Sequence, residues 1–215
     1  MKVKRILDVV MFILLLFLMA FFNTGQTVHE VLGILMAICF IIHHVLNRNW
    51  YKTVFKGKYP LLKKVYIVVN FLLLVDVVFL VLSGLSMSRL LPFLSFMPVS
   101  LARRVHLTLS YWGFVLMAVH FGLHIQSISR PLAKKFEDSS KVVKTIIFLV
   151  IPYGLVLFGL IMFIKNQLIA YLFMLTDFVN VDSSINLVRY IFEYLGIFSL
   201  FGLLTYIVIK NIKKS

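Results

Sequence analysis

The sequence predicts an all-α fold, a polytopic membrane bundle of six transmembrane helices, and two observations predict it. Of 215 residues, 61% are hydrophobic and only 14% are charged, with a mean hydropathy of +1.01. Soluble domains carry about 45 to 50% apolar and about 25% charged residues. The second observation is the distribution of the apolar residues. They form six stretches long enough to cross about 30 Å of hydrocarbon as helices, which takes about 20 residues each.

The first stretch, 6 to 22, follows Lys2, Lys4 and Arg5 as a secretory signal would. It runs to Phe22 with no small-x-small cleavage site before Asn23-Thr24-Gly25, so it is expected to be retained. The second and third cover 28 to 47 and 66 to 87. Leu91-Pro92-Phe93 and Met97-Pro98 mark the loop that leads to the fourth, 105 to 125. The fifth, 143 to 165, contains Pro152, which is expected to kink it. The connection that follows is half apolar, from Leu168 to Leu175, and too short to cross and return, so it is expected to lie in the interface. The sixth stretch is 187 to 209. Residues 1–130 form a four-helix core on this reading, and 131–215 add two helices joined by the interfacial connection.

Several classes drop out. There is no strand-period alternation of the outer-membrane barrel type. No nucleotide-binding glycine pattern appears, and the 47 to 65 and 126 to 144 loops are too short for a soluble catalytic domain. The lone cysteine, Cys39, excludes a disulfide framework and a Cys-rich metal cluster. The net charge of +14 does not point to nucleic acid, because the basic residues sit between apolar runs. They sort instead by side of the membrane. The N-terminus, the 47 to 65 loop, the 126 to 144 loop and the C-terminus hold 17 Lys and Arg, against 5 opposite: Arg89, Arg103, Arg104, Lys165 and Arg189. Both termini are therefore expected in the cytoplasm of a multi-pass plasma-membrane protein in contact with lipid.

All six histidines lie in the second and fourth stretches: His29, His43, His44, His106, His120 and His124. Ionisable residues inside a membrane are costly and mark functional sites. His29 and His43 are 14 residues apart, and so are His106 and His120. Fourteen residues is four turns of a supercoiled helix, so each pair shares a face, separated by a rise of about 21 Å. Two parallel helices then place His29 level with His106 and His43 level with His120. An imidazole from each side suits a haem iron, so the pattern predicts two stacked b-type haems, one near each membrane face. Gly33, Ala37 and Gly113 lie between the pairs, where a porphyrin needs missing side chains. Arg103 and Arg104, just before His106, are candidates to pair with propionates or an acidic partner.

The inner assignment has alternatives. His43 and His44 point about 100° apart, so only one faces the seam, and the spacing selects His43. His124, one turn beyond His120, is an alternative inner ligand, a propionate partner, or part of a quinone or proton site. A zinc or iron site built from His43, His44, His120 and His124 is a rival that leaves His29 and His106 unused. A membrane carrier with a histidine-lined proton or metal path is the competing function, and it expects matched broken helices that the sequence lacks. Asp76 and Glu193 are intramembrane acids that suit proton handling or a buried hydrogen bond.

His29-Glu30-Val31-Leu32-Gly33 through His43, Asn47-x-Asn49-Trp50, Ser83-Gly84-Leu85-Ser86-Met87-Ser88, and His106 through His120-Phe121-Gly122-Leu123-His124 together resemble the flavinylation-associated cytochrome family of prokaryotic membrane proteins. The resemblance covers about residues 5 to 130. The architecture is also similar to cytochrome b and to ferric reductase membrane domains. The resemblance implies axial ligation by His29, His43, His106 and His120, with His124 matching an extra histidine of the second motif. It also implies electron transfer from a quinol or inner-side donor to an extracytoplasmic partner, such as a flavin-bearing protein. A quinone or ferric reductase activity of the chain itself is compatible with it. The last two helices match none of these motifs.

Overall fold

The computed structural model describes residues 2–176 and 185–212, and the described residues contain helices and no strand. Its main elements are α1 (Lys2–Met19), α2 (Gln26–Leu46), α3 (Leu61–Ser86), α4 (Val99–His124), α5 (Gln126–Lys135), α6 (Lys141–Lys165), α7 (Leu168–Leu172) and α8 (Leu187–Ile212). Among the described residues, five helices are long and apolar enough to cross a membrane: α2, α3, α4, α6 and α8. The first of the six expected stretches forms α1, of 18 residues, followed by a short helix at Phe21–Thr24. Four charged residues, Lys2, Lys4, Arg5 and Asp8, crowd its opening turns, and they distinguish it from the five.

Long-range contacts set the helix directions. Asp8 near the start of α1 meets His43 at the end of α2. The start of α3 meets the end of α4, where the Tyr66 hydroxyl donates to the Leu123 carbonyl at 2.6 Å. Ile209 and Ile212 of α8 pack at that same end, with Val69, Leu73 and Leu123. Successive long helices thus alternate in direction, and α2 and α4 run parallel.

The core is asymmetric. α4 is packed by α3 on one side and by α8 on the other, and α8 packs on α6, whereas α2 leans on α1 and only grazes α3. The main cluster, including Tyr111, Phe114, Ala118, Leu168, Tyr194 and Ile197, is centred on α4 and α8. Glycines allow the closest approaches. A Cβ at Gly122 would lie 2.3 Å from the Gly202 carbonyl oxygen, and one at Gly159 would lie 2.1 Å from that of Gly196. Small residues at helix crossings are how membrane helices gain van der Waals contact where lipid supplies no hydrophobic drive. α2 buries almost none of its large side chains. Ile34, Ile38, Ile41 and Val45 are exposed, a surface suited to lipid.

Two expectations about the second half are refined. At Pro152, the turn before the proline, Ile146–Val150, is a π segment. A proline offers no N–H and its ring crowds the preceding turn, and a locally widened turn relieves both. In the connection expected at the interface, α7 buries Leu168, Tyr171 and Leu172 in the main core while Ile169 and Phe173 stay exposed. The Leu172 carbonyl accepts from the Trp112 indole of α4 at 2.8 Å. Residues 177–184 of that connection lie outside the described residues.

Candidate functional site

The parallel course of α2 and α4 brings His29 and His106 together, with ring centroids 6.0 Å apart and planes inclined by 75°. Two imidazoles on opposite sides of one metal, each about 2 Å away through nitrogen, would have centroids about 6 Å apart. His106 is held from behind by α3. Its Nδ1 lies 3.1 Å from the Leu80 carbonyl oxygen and 3.3 Å from the Ser83 hydroxyl, which itself donates to Leu80. A Cβ at Gly84 would stand 3.1 Å from the His106 Cε1, so this glycine shapes the seat of the ring. His29 packs edge-on to Phe21, and its Nδ1 is buried with no hydrogen-bond partner. The Leu18 backbone of α1 also lies within hydrogen-bonding reach of the His29 ring.

At the other level, His43 and His120 are each anchored through Nδ1 by a side chain from a different helix. Asp8 of α1 lies 3.0 Å from the His43 Nδ1, and the Asn70 amide oxygen of α3 lies 2.9 Å from that of His120. His43 is within electrostatic range of both His120 and His124. His124 lies beside His120, with centroids 4.9 Å apart and planes tilted by 50°, and meets the Tyr66 ring at 5.2 Å. His44 turns elsewhere, against Phe40, with its Nδ1 bonded to the Tyr51 hydroxyl. Partial burial holds the Tyr51 phenol above its ordinary value. The rival metal site from His43, His44, His120 and His124 is not assembled. Among the described residues, no three His, Cys, Asp or Glu side chains are placed to hold one ion.

The predicted small residues behave differently from one another. Gly33 faces Leu18 of α1, where a Cβ would make ordinary van der Waals contact at 4.0 Å. The notch at Gly113, expected to receive a porphyrin, is filled by Asp76, whose Oδ2 would be 2.5 Å from a Cβ there. Asp76 is buried between the two levels and neither of its oxygens has a hydrogen-bond partner. Gly113 therefore makes room for a carboxyl from α3. Glu193, the other intramembrane acid, is fully engaged by Arg189, Lys165 and Asn166. Arg103 and Arg104 are exposed on the opening turns of α4.

Sequence reasoning missed the residues that orient the ligand candidates: Asp8, Asn70 and the Leu80 carbonyl. It also missed Glu30 as an organiser. Its carboxylate accepts from the Ser88 hydroxyl at 2.9 Å, from the backbone N–H groups of Arg89 and Leu90 at 3.0 and 3.1 Å, and from Gln26 at 2.9 Å. This ties the loop after α3 to the first turn of α2, one residue from His29. The only available signal was an acid beside a histidine with Gln26 one turn earlier. No known protein family, curated protein or solved structure matches the chain, so the cytochrome resemblance rests on its motifs.

Proposed function

We propose that the protein is a transmembrane electron-transfer cytochrome, with α1 as the sixth span and α1 to α4 as a four-helix core for two b-type haems. His29 and His106 would hold one iron, and His43 and His120 the other. The observation that carries this reading is the shared treatment of the imidazoles. Three of the four have Nδ1 against an acceptor, respectively a backbone carbonyl, a carboxylate and an amide oxygen. A histidine that ligates a metal usually donates its second ring N–H in this way, which fixes the tautomer and leaves Nε2 as the ligating atom. The slack between α2 and α4 adds support. α2 and α4 meet at His29 and His106, while their backbones pack mainly on other partners.

The bound groups would supply a one-electron iron couple at two depths. The chain's own residues fix the rest. Asp8 and Asn70 orient the rings at the basic end, the Leu80 carbonyl orients His106, and the α3–α4 pair sets the separation of the levels. The charge split supports a cytoplasmic position for the His43–His120 level, where a quinol or an anionic donor would meet basic loops. The other level faces outward, where a flavin-bearing or other redox protein would accept electrons.

The test uses sealed vesicles of known orientation. Reductant confined to the cytoplasmic side should reduce both haems, and an impermeant outer acceptor should reoxidise both. Reduction of the His43–His120 haem alone, with the other still oxidised despite a sufficiently high potential, would contradict conduction across the bilayer.

A further inference from the structure

Away from the histidines, a groove of about 440 Å³ opens between the end of α5 and the start of α6, lined by Ala133, Lys134, Phe136, Glu137, Lys144 and Phe148. We propose that this groove is a binding site for the headgroup of an anionic glycerophospholipid, with the phosphodiester between Lys134 and Lys144 and an acyl chain along Phe148. The placement of the residues carries the proposal. Lys144 and Phe148, four residues apart on α6, both line the groove. Lys144 stands in the first turn of a membrane-length helix, the turn expected at a headgroup boundary, and Phe148 lies about one turn further along it. Lys134 comes from the last turn of α5, the helix that follows α4 at the same end of the bundle. Neither lysine has an ion-pair partner among the described residues, and Phe148 is exposed.

Cations over an apolar wall at a membrane boundary match a phosphate over its acyl chains. Glu137 reduces the lining to one net positive charge, which suits one phosphodiester, and its carboxylate can accept from headgroup hydroxyls. An ethanolamine ammonium could meet Glu137 as well. It would do so inside the field of the 47 to 65 and 126 to 144 loops, which hold eleven basic residues. An uncharged, hydroxylated headgroup such as glycerol is therefore favoured over a cationic one.

The proposal is independent of the haems, and its test reads lipid rather than colour. The full chain is reconstituted in nanodiscs of phosphatidylcholine with equal minor fractions of phosphatidylglycerol and phosphatidylethanolamine, then extracted gently, and the retained lipid is measured by mass spectrometry. Phosphatidylglycerol should be retained several-fold over both other lipids. Lys134→Gln with Lys144→Gln should abolish that preference, Lys134→Arg with Lys144→Arg should keep it, and Phe148→Ser should weaken it. Inorganic phosphate should not displace the lipid. Equal retention of the three lipids, a preference for phosphatidylethanolamine, a preference that survives the glutamine pair, or displacement by inorganic phosphate would each overturn the proposal. Retention by the wild-type chain and by the arginine pair remains decisive if the glutamine pair fails to fold.

Discussion

The two histidine levels differ in what holds the imidazole. At His29 and His106 the anchors are backbone: the Leu80 carbonyl holds the His106 ring, and the Leu18 backbone lies within reach of the His29 ring, which packs edge-on to Phe21. At His43 and His120 the anchors are side chains, Asp8 and Asn70, reaching in from separate helices. A backbone anchor comes with the fold and cannot be removed by substituting one residue. A side-chain anchor can be tuned, and a carboxylate raises the electron density of its ligand more than an amide or a carbonyl does. The level near the basic end is thus the adjustable one, and the other is the one built into the α3–α4 packing.

The sharpest way to separate the levels is to remove one ligand at a time. His106→Ala and His29→Ala should each lower bound haem by about half, from two per chain to one, with loss of the same spectral component. His43→Ala and His120→Ala should each remove the other component, and His44→Ala should leave both. Haem content by alkaline pyridine and low-temperature absorption read this directly. If His44→Ala or His124→Ala empties the second level instead, the assignment at that end is wrong.

Next in size are the anchors. Asp8→Ala and Asn70→Ala should weaken haem retention at the His43–His120 level by about 10- to 100-fold, the usual cost of losing a partner behind a metal-bound histidine. Asp8→Asn keeps an acceptor and removes the charge. It should retain the haem and raise its midpoint potential, as read by redox titration, while the other level stays fixed. Equal shifts at both levels would erase the proposed distinction.

Gly84→Ala should act on the opposite level. Its new methyl would stand 3.1 Å from the His106 ring, so the ring must move by a few tenths of an ångström. The electron paramagnetic resonance signal of the His29–His106 haem should shift while the other is unchanged. The smallest effect is expected from Glu30→Gln, which keeps the shape and loses the charge that gathers the Ser88, Arg89 and Leu90 donors. It should broaden the same signal by loosening the turn beside His29, and Glu30→Asp should restore it only in part.

The sequence made the levels legible because a 14-residue spacing repeats on two helices, and periodicity survives without knowledge of what packs where. The alternate directions of the helices, and the choice of His43 over His44 for the seam, follow from the same geometry. The anchors were not legible. Asp8 is 35 residues from His43 and Asn70 is 50 from His120, and no local pattern announces a partner on another helix. Gly113 shows the cost of reading a small residue alone. A missing side chain signals that something fits there, and only the packing reveals it to be Asp76. Of the six expected spans, five are long and apolar enough among the described residues, and the first is set apart by Lys2, Lys4, Arg5 and Asp8 in its opening turns, the last of which meets His43.

The central claim is that four histidines on two parallel helices hold two non-covalent haems in one chain. It is tested most directly by the reduced-minus-oxidised spectrum of the purified protein, expressed with ample haem and quantified against protein. The account predicts a b-type α band with about two haems per chain, resolvable into two components. A colourless protein under those conditions, or a single haem that is unaffected by His106→Ala and by His120→Ala, would contradict it.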